Sequence, residues 1–99
     1  NMAAVINEEI EKRKSEAISN YADTYQIREE DLEYYVNNYN PAKDPKTQIG
    51  AGELLKNANF NRYKKMSEKP VSKLRYNRII REETGDFVKE EIVPYLREY

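Results

Sequence analysis

The 99-residue chain contains no cysteine, no histidine and no tryptophan, and only three glycines and four prolines. Without cysteine there is no disulfide framework and no sign of an oxidising compartment. Without histidine or cysteine, any metal site would have to be built from oxygen alone, and the usual acid–base residue of neutral pH is missing. No apolar run approaches the ~20 residues of a membrane span, and no signal peptide is visible. No phosphate loop, dinucleotide turn or nucleophile elbow occurs. Gly50-Ala51-Gly52 before Glu53 has the look of a phosphate loop, but a flexible loop entering a helix accounts for it. Eighteen acidic residues place pairs such as Glu8/Glu9 and Glu90/Glu91 side by side by chance, on solvated faces. The residues therefore predict neither catalysis nor a cofactor site.

What is present is charge and tyrosine. Charged residues make up 35% of the chain, balanced to a net −1, and nine tyrosines supply most of the aromatic content. Leu, Ile, Val and Phe account for about a fifth of the residues, a proportion at the edge of disorder. The near-zero net charge and the apolar ring area of the tyrosines argue for folding. The expectation is one thin-cored domain over 1–99, read as a bacterial-type cytoplasmic fragment that neighbours help to complete. Met2 is preceded by Asn1, as in an excised piece or a tag remnant.

Hydrophobic spacing predicts an all-α fold of four or five helices. Residues 2–25 lack glycine and proline and place Met2, Ala3, Ile6, Ile10, Ala17, Tyr21 and Tyr25 on one face. Glu8–Lys12 and Glu9–Arg13 are i,i+4 pairs in the favourable order. After a turn at 24–27, Leu32, Tyr35, Val36 and Tyr39 form a helical stripe. Glu29, Glu30 and Asp31 suit its first turn, and Asn40-Pro41 is expected to end it. Within YYVNNYNP (34–41), Tyr35 and Tyr39 are thus assigned to the core, with Tyr34, Asn37 and Asn38 nearer solvent. Residues 41–52 read as a loop. Leu54, Leu55, Ala58, Phe60 and Tyr63 follow on helical turns that Asn59 can restart as a cap. Pro70 is expected at the first position of a last, long helix. Its stripe changes sides: Tyr76, Ile80 and Phe87 share one face, whereas Val88, Ile92 and Tyr95 share another. A kink near Gly85, or two helices, would set the stripes against different neighbours.

Charge is unevenly placed. Between 62 and 81, Arg62, Lys64, Lys65, Lys69, Lys73, Arg75, Arg78 and Arg81 face a single acid, Glu68. This stretch is a candidate contact for phosphate or for an acidic partner, with Tyr63 and Tyr76 interleaved. A solvated face balanced by acidic helices is the alternative.

The segments INEEIEKRKSEAISNYADTYQIREEDLEYYVNNYNP, ELLKNANFNRYKK and KLRYNRIIREETGDFVKEEIVPYL together resemble the C-terminal helical domain of type I restriction-enzyme R subunits. The marks are the acidic turn before a Tyr-rich helix ending at Asn40-Pro41, the Glu53–Tyr63 helix and the EEIVPYL ending. The resemblance implies a C-terminal, non-catalytic piece of a larger ATP- and Mg²⁺-dependent DNA translocase and site-specific deoxyribonuclease. It implies docking onto the methyltransferase and specificity subunits and the adjoining motor domain, with DNA reached through the full complex. None of the parent's nuclease or motor motifs occurs in this chain, so no catalytic residue, metal or cofactor is carried over. The basic stretch supports a second expectation, a helical nucleic-acid-binding module.

Overall fold

The computed structural model describes residues 2–94, with side chains from Asn7 onward. Among these residues five α-helices and two short helical turns occur, and no strand. The helices are α1 (Met2–Tyr25), α2 (Glu29–Asn37), α3 (Ala51–Asn57), α4 (Phe60–Met66) and α5 (Lys73–Phe87). A 3-10 turn spans Pro45–Thr47, and a π-helical turn at Val88–Ile92 continues α5. The all-α expectation, with long first and last helices, is met.

Helix α1 buries more than its expected face. Ala17, Tyr21 and Tyr25 are half-buried, but Ile18 and Ala22, one position round the helix, are the residues most completely covered. The reason is two-sided packing, with α2 on one flank and the π turn on the other. Two neighbours need a wider apolar arc than a single stripe. Ile10 is half-buried, while the side chains of Met2, Ala3 and Ile6 lie outside the described residues. Glu9 and Arg13 form their ion pair at 2.8 Å, whereas Glu8 and Lys12 do not pair.

The end of α1 is unusually well tied. Gln26 takes a left-handed conformation (φ 57°), and the Ile27 amide reaches back to the Ala22 carbonyl at 3.0 Å. This is a Schellman-type stop, with the following Ile27 buried as its hydrophobic lock. The freed carbonyls still need donors. The Tyr76 hydroxyl donates to the Tyr25 carbonyl, and the Asn59 amide donates to that of Gln26. Helices α4 and α5 are thereby anchored to one helix end.

Leu32, Tyr35 and Val36 of α2 are buried as expected. The helix nevertheless stops at Asn37, short of Asn40-Pro41, because the Asn38 side chain and the Asn38 and Tyr39 amides turn back to bond its last carbonyls. Tyr39 therefore stands beyond the helix and is half-buried, with its hydroxyl 3.5 Å from the Gly85 carbonyl. The 41–52 segment is less of a free loop than its prolines and glycines suggest. Buried Gln48 accepts from the Asn40 amide and donates to the Asn40 and Lys43 carbonyls, closing the segment on itself. Gly50 (φ 93°) then enters α3 directly against Tyr35, a left-handed turn that favours glycine.

The Glu53–Tyr63 stretch is two helices. Ala58 is extended, and Asn59 caps α4 by accepting from the Arg62 amide, as its position suggests. Pro70 does not begin α5. Ser72 caps that helix by accepting from the Arg75 amide, leaving Pro70 outside the helix, before its cap. The last helix runs continuously through Gly85. A Cβ there would lie 2.8 Å from Pro45 Cβ, so the glycine serves close packing of the 3-10 turn, and no break follows.

The apparent change of sides is resolved by the π turn. Tyr76, Ile80, Thr84, Val88 and Ile92 recur every fourth residue, and all are buried. In an uninterrupted α-helix each such step drifts by roughly 40°, turning Ile92 nearly to the opposite side from Tyr76. The wider π turn offsets part of that drift. The remainder is absorbed by a shift among neighbours: α5 packs on α3 and the 3-10 turn and also bonds α1 through Tyr76 and Thr84, while the π segment packs on α1. The helix is not broken, and the expected partition is incomplete, since both stripes reach α1. Tyr95 and the end of EEIVPYL lie outside the described residues.

Candidate functional site: a basic face on an aromatic seam

The basic residues occupy α4, its link to α5, and α5. Arg62, Lys64 and Lys65 lie on α4, Lys69 on the link, and Lys73, Arg75, Arg78 and Arg81 on α5; all eight are exposed. None forms an ion pair among the described residues. On α5, Arg75, Arg78 and Arg81 fall on the side away from buried Tyr76 and Ile80, at roughly 100° per residue. Leu74, 76% exposed, and Met66, 53% exposed, stand in the same segment. That apolar content was in the sequence, but its exposure could not be read until the packing face of each helix was known.

The tyrosines of this segment do not share its surface. Tyr76 is 1% exposed and Tyr63 is half-buried. Their rings lie 4.8 Å apart, joining a seam that runs from Phe60 through Tyr76 and Tyr63 to Tyr25, Tyr21 and Phe87. Spacings of 4.6–6.2 Å along most of this seam are those of favourable aromatic pairs, and Tyr21 stacks on Phe87 more closely still, at 4.2 Å. The seam couples α4 and α5 to α1 and sets the platform from which the basic side chains project. At its edge, the Lys64 ammonium sits 6.0 Å from the Phe60 ring centroid. Interleaved tyrosines thus make a backing, and the surface they support is cationic and aliphatic.

Burial raises the phenols along the seam. Tyr76 is pushed up to about 12 by desolvation, assisted by Tyr63. Tyr25 is also pushed up to about 12, first by desolvation and then by its hydrogen bond to Glu83. Tyr21 rises further for the same first reason, against the lowering effect of its bond with the Thr84 hydroxyl at 3.0 Å. These hydroxyls stay protonated across physiological pH.

A groove of about 510 Å³ opens on another side, between α1 and the α5–π helix, and Tyr21, Tyr25 and Phe87 line it. Glu16, Glu83 and Glu91 also line it. Gly50-Ala51-Gly52 does enter a helix, but α3 has only seven residues and Gly50 is taken up in packing on Tyr34 and Tyr35. No group of three or more residues suited to hold a metal ion occurs among the described residues, and no described helix is long and apolar enough to cross a membrane. No protein-family model, no curated protein and no solved structure matches this chain.

Proposed function

We propose that this chain is a non-catalytic helical docking module that carries its basic face onto an acidic protein surface. In the setting implied by the resemblance, that surface belongs to the methyltransferase–specificity core or the adjoining motor domain of a type I restriction enzyme. The supporting observation is the composition of the 62–81 segment: eight exposed cations, none in an ion pair among the described residues, with Leu74 and Met66 exposed in the same segment. Exposed cations steer association and select partners of opposite charge, while projecting aliphatic side chains gain from burial in a partner's pit. A phosphate backbone would use the cations and leave Leu74 without a role. Nucleic-acid binding is the second reading, favoured by the same eight cations.

The test compares two variants. Arg75→Glu/Arg78→Glu/Arg81→Glu removes the charge, and Leu74→Ser removes only the aliphatic contact. Capture of the methyltransferase and specificity subunits, and titration of duplex DNA at two salt concentrations, are measured for each. The docking reading expects both variants to lose capture, with wild-type DNA binding weak throughout. Tight DNA binding that falls steeply with salt, is lost in the arginine variant and survives in Leu74→Ser would establish the second reading instead. Undiminished capture by both variants would reject the basic face as the docking surface.

A further inference from the structure

The groove between α1 and the α5–π helix has a chemistry opposite to that of the basic face, and no part of the proposed docking role uses it. Its apolar wall comes from Tyr21, Tyr25 and Phe87, with Tyr21 stacked on Phe87 at 4.2 Å between ring centroids. Around it stand three carboxylates from three separate elements: Glu16 on α1, Glu83 on α5 and Glu91 on the π turn. None of the three forms an ion pair among the described residues. The one cation lining the groove, Arg13, is held by Glu9 at 2.8 Å.

Two features organise these groups. The Tyr25 hydroxyl donates to one oxygen of Glu83, which fixes that carboxylate beside the rings and leaves its other oxygen without a bond among the described residues. The π turn sends Val88 and Ile92 into the core while Phe87 and Glu91 line the groove. Such turns inside α-helices recur at functional sites.

We infer that this groove receives an arginine side chain presented by a protein partner. A guanidinium head needs carboxylates with free oxygens, and its planar face and methylene stem favour aromatic walls. The three carboxylates are distributed around a groove rather than gathered at one point, as a compact metal ion would require. Its volume falls within the roughly 300–1,000 Å³ typical of ligand clefts, room for the side chain and its flanking backbone. The complementarity depends on charge: the walls alone would take any apolar group, whereas the carboxylates favour a cation over a neutral group and disfavour an anion.

The probe is a capped Ala-Arg-Ala peptide, compared with the same peptide carrying citrulline, which keeps the shape and loses the charge. Both are titrated into the full chain while the ring protons of Tyr21, Tyr25 and Phe87 are followed by NMR. Saturable shifts with the arginine peptide are expected, with affinity for the citrulline peptide at least about tenfold weaker, the loss of one charge-assisted hydrogen bond. Glu83→Gln/Glu91→Gln should abolish the difference between the peptides. Glu91→Gln alone, which breaks no bond among the described residues, should reduce it and guards against a folding defect in the double variant. The Arg75/Arg78/Arg81 reversal should leave the peptide response intact, so loss of basic-face docking and loss of groove binding are separable. Equal responses to both peptides, or none to either, would overturn the inference. Shifts of the same rings with protein concentration alone would assign the groove to a second copy of the chain and overturn it equally.

Discussion

Two tyrosine-rich regions of this molecule look alike as strings of residues and behave differently in the fold. In the seam joining α1, α4 and α5, each of the more deeply set phenols has somewhere to place its hydroxyl. Tyr76 donates to the Tyr25 carbonyl, Tyr21 pairs with Thr84, and Tyr25 donates to Glu83. At α2, Tyr35 is as buried as Tyr76, each 1% exposed, yet its hydroxyl has no partner among the described residues. Burying a polar group without a hydrogen bond is costly, so the same side chain helps in one place and is partly wasted in the other. The seam uses tyrosine as a connector with a polar end. At α2 the ring does the packing, and the hydroxyl is a burden carried with it.

The largest break of this contrast is deletion of a seam ring. Tyr76→Ala should cost about 3–5 kcal/mol, as other aromatic core truncations do, because it removes a fully buried ring that joins Phe60 to Tyr63 and uncaps the end of α1. Tyr39→Ala should cost clearly less, since that ring is half-buried beyond the end of α2. Urea denaturation of both variants measures the difference. Equal losses would contradict the burial assigned to these two rings.

Alkali should weaken the fold by titrating both regions together. Tyr35 is pushed up to about 12 by desolvation and Tyr76 likewise, from an ordinary value of 10.0. Where the folded value is raised, the unfolded chain binds fewer protons above pH 10 and stability falls as pH rises. The stabilising contribution is therefore fully present below pH 10 and disappears as pH climbs through about 12. Phenolate absorbance followed alongside helical circular dichroism should show these tyrosines ionising as the helices melt. Full ionisation of all nine tyrosines near pH 10 with the helices intact would contradict their burial.

The smallest and most pointed comparison removes single oxygens. Tyr76→Phe leaves the Tyr25 carbonyl short of its donor and should destabilise by about 1–2 kcal/mol. Tyr35→Phe removes a buried hydroxyl with no partner among the described residues and should stabilise by about 1 kcal/mol. Opposite signs in thermal or urea denaturation are the expected result. A loss of stability in Tyr35→Phe would mean that its hydroxyl finds a partner in solution.

Much of this was legible along the chain. The helical periodicity of 2–25, the stripe Leu32, Tyr35 and Val36, and the cap at Asn59 depend on spacing and side-chain type, which are local properties. So is the concentration of cations between 62 and 81, and the absence of cysteine and histidine that limits the available chemistry. Other features required the fold. Ile18 and Ala22 became the best-covered residues of α1 because it has neighbours on two sides, which no single periodicity announces. Tyr63 and Tyr76 left the basic surface because the end of α1 offered carbonyls and rings to receive them. Gly85 marks a close approach by Pro45, forty residues distant in sequence, and the π turn re-phases a stripe that local spacing could only split. The aromatic wall and carboxylates of the groove come from α1, α5 and the π turn together. Local spacing determines which face of each helix can be apolar; only packing decides which neighbour covers it, because burial is shared between elements far apart in the chain.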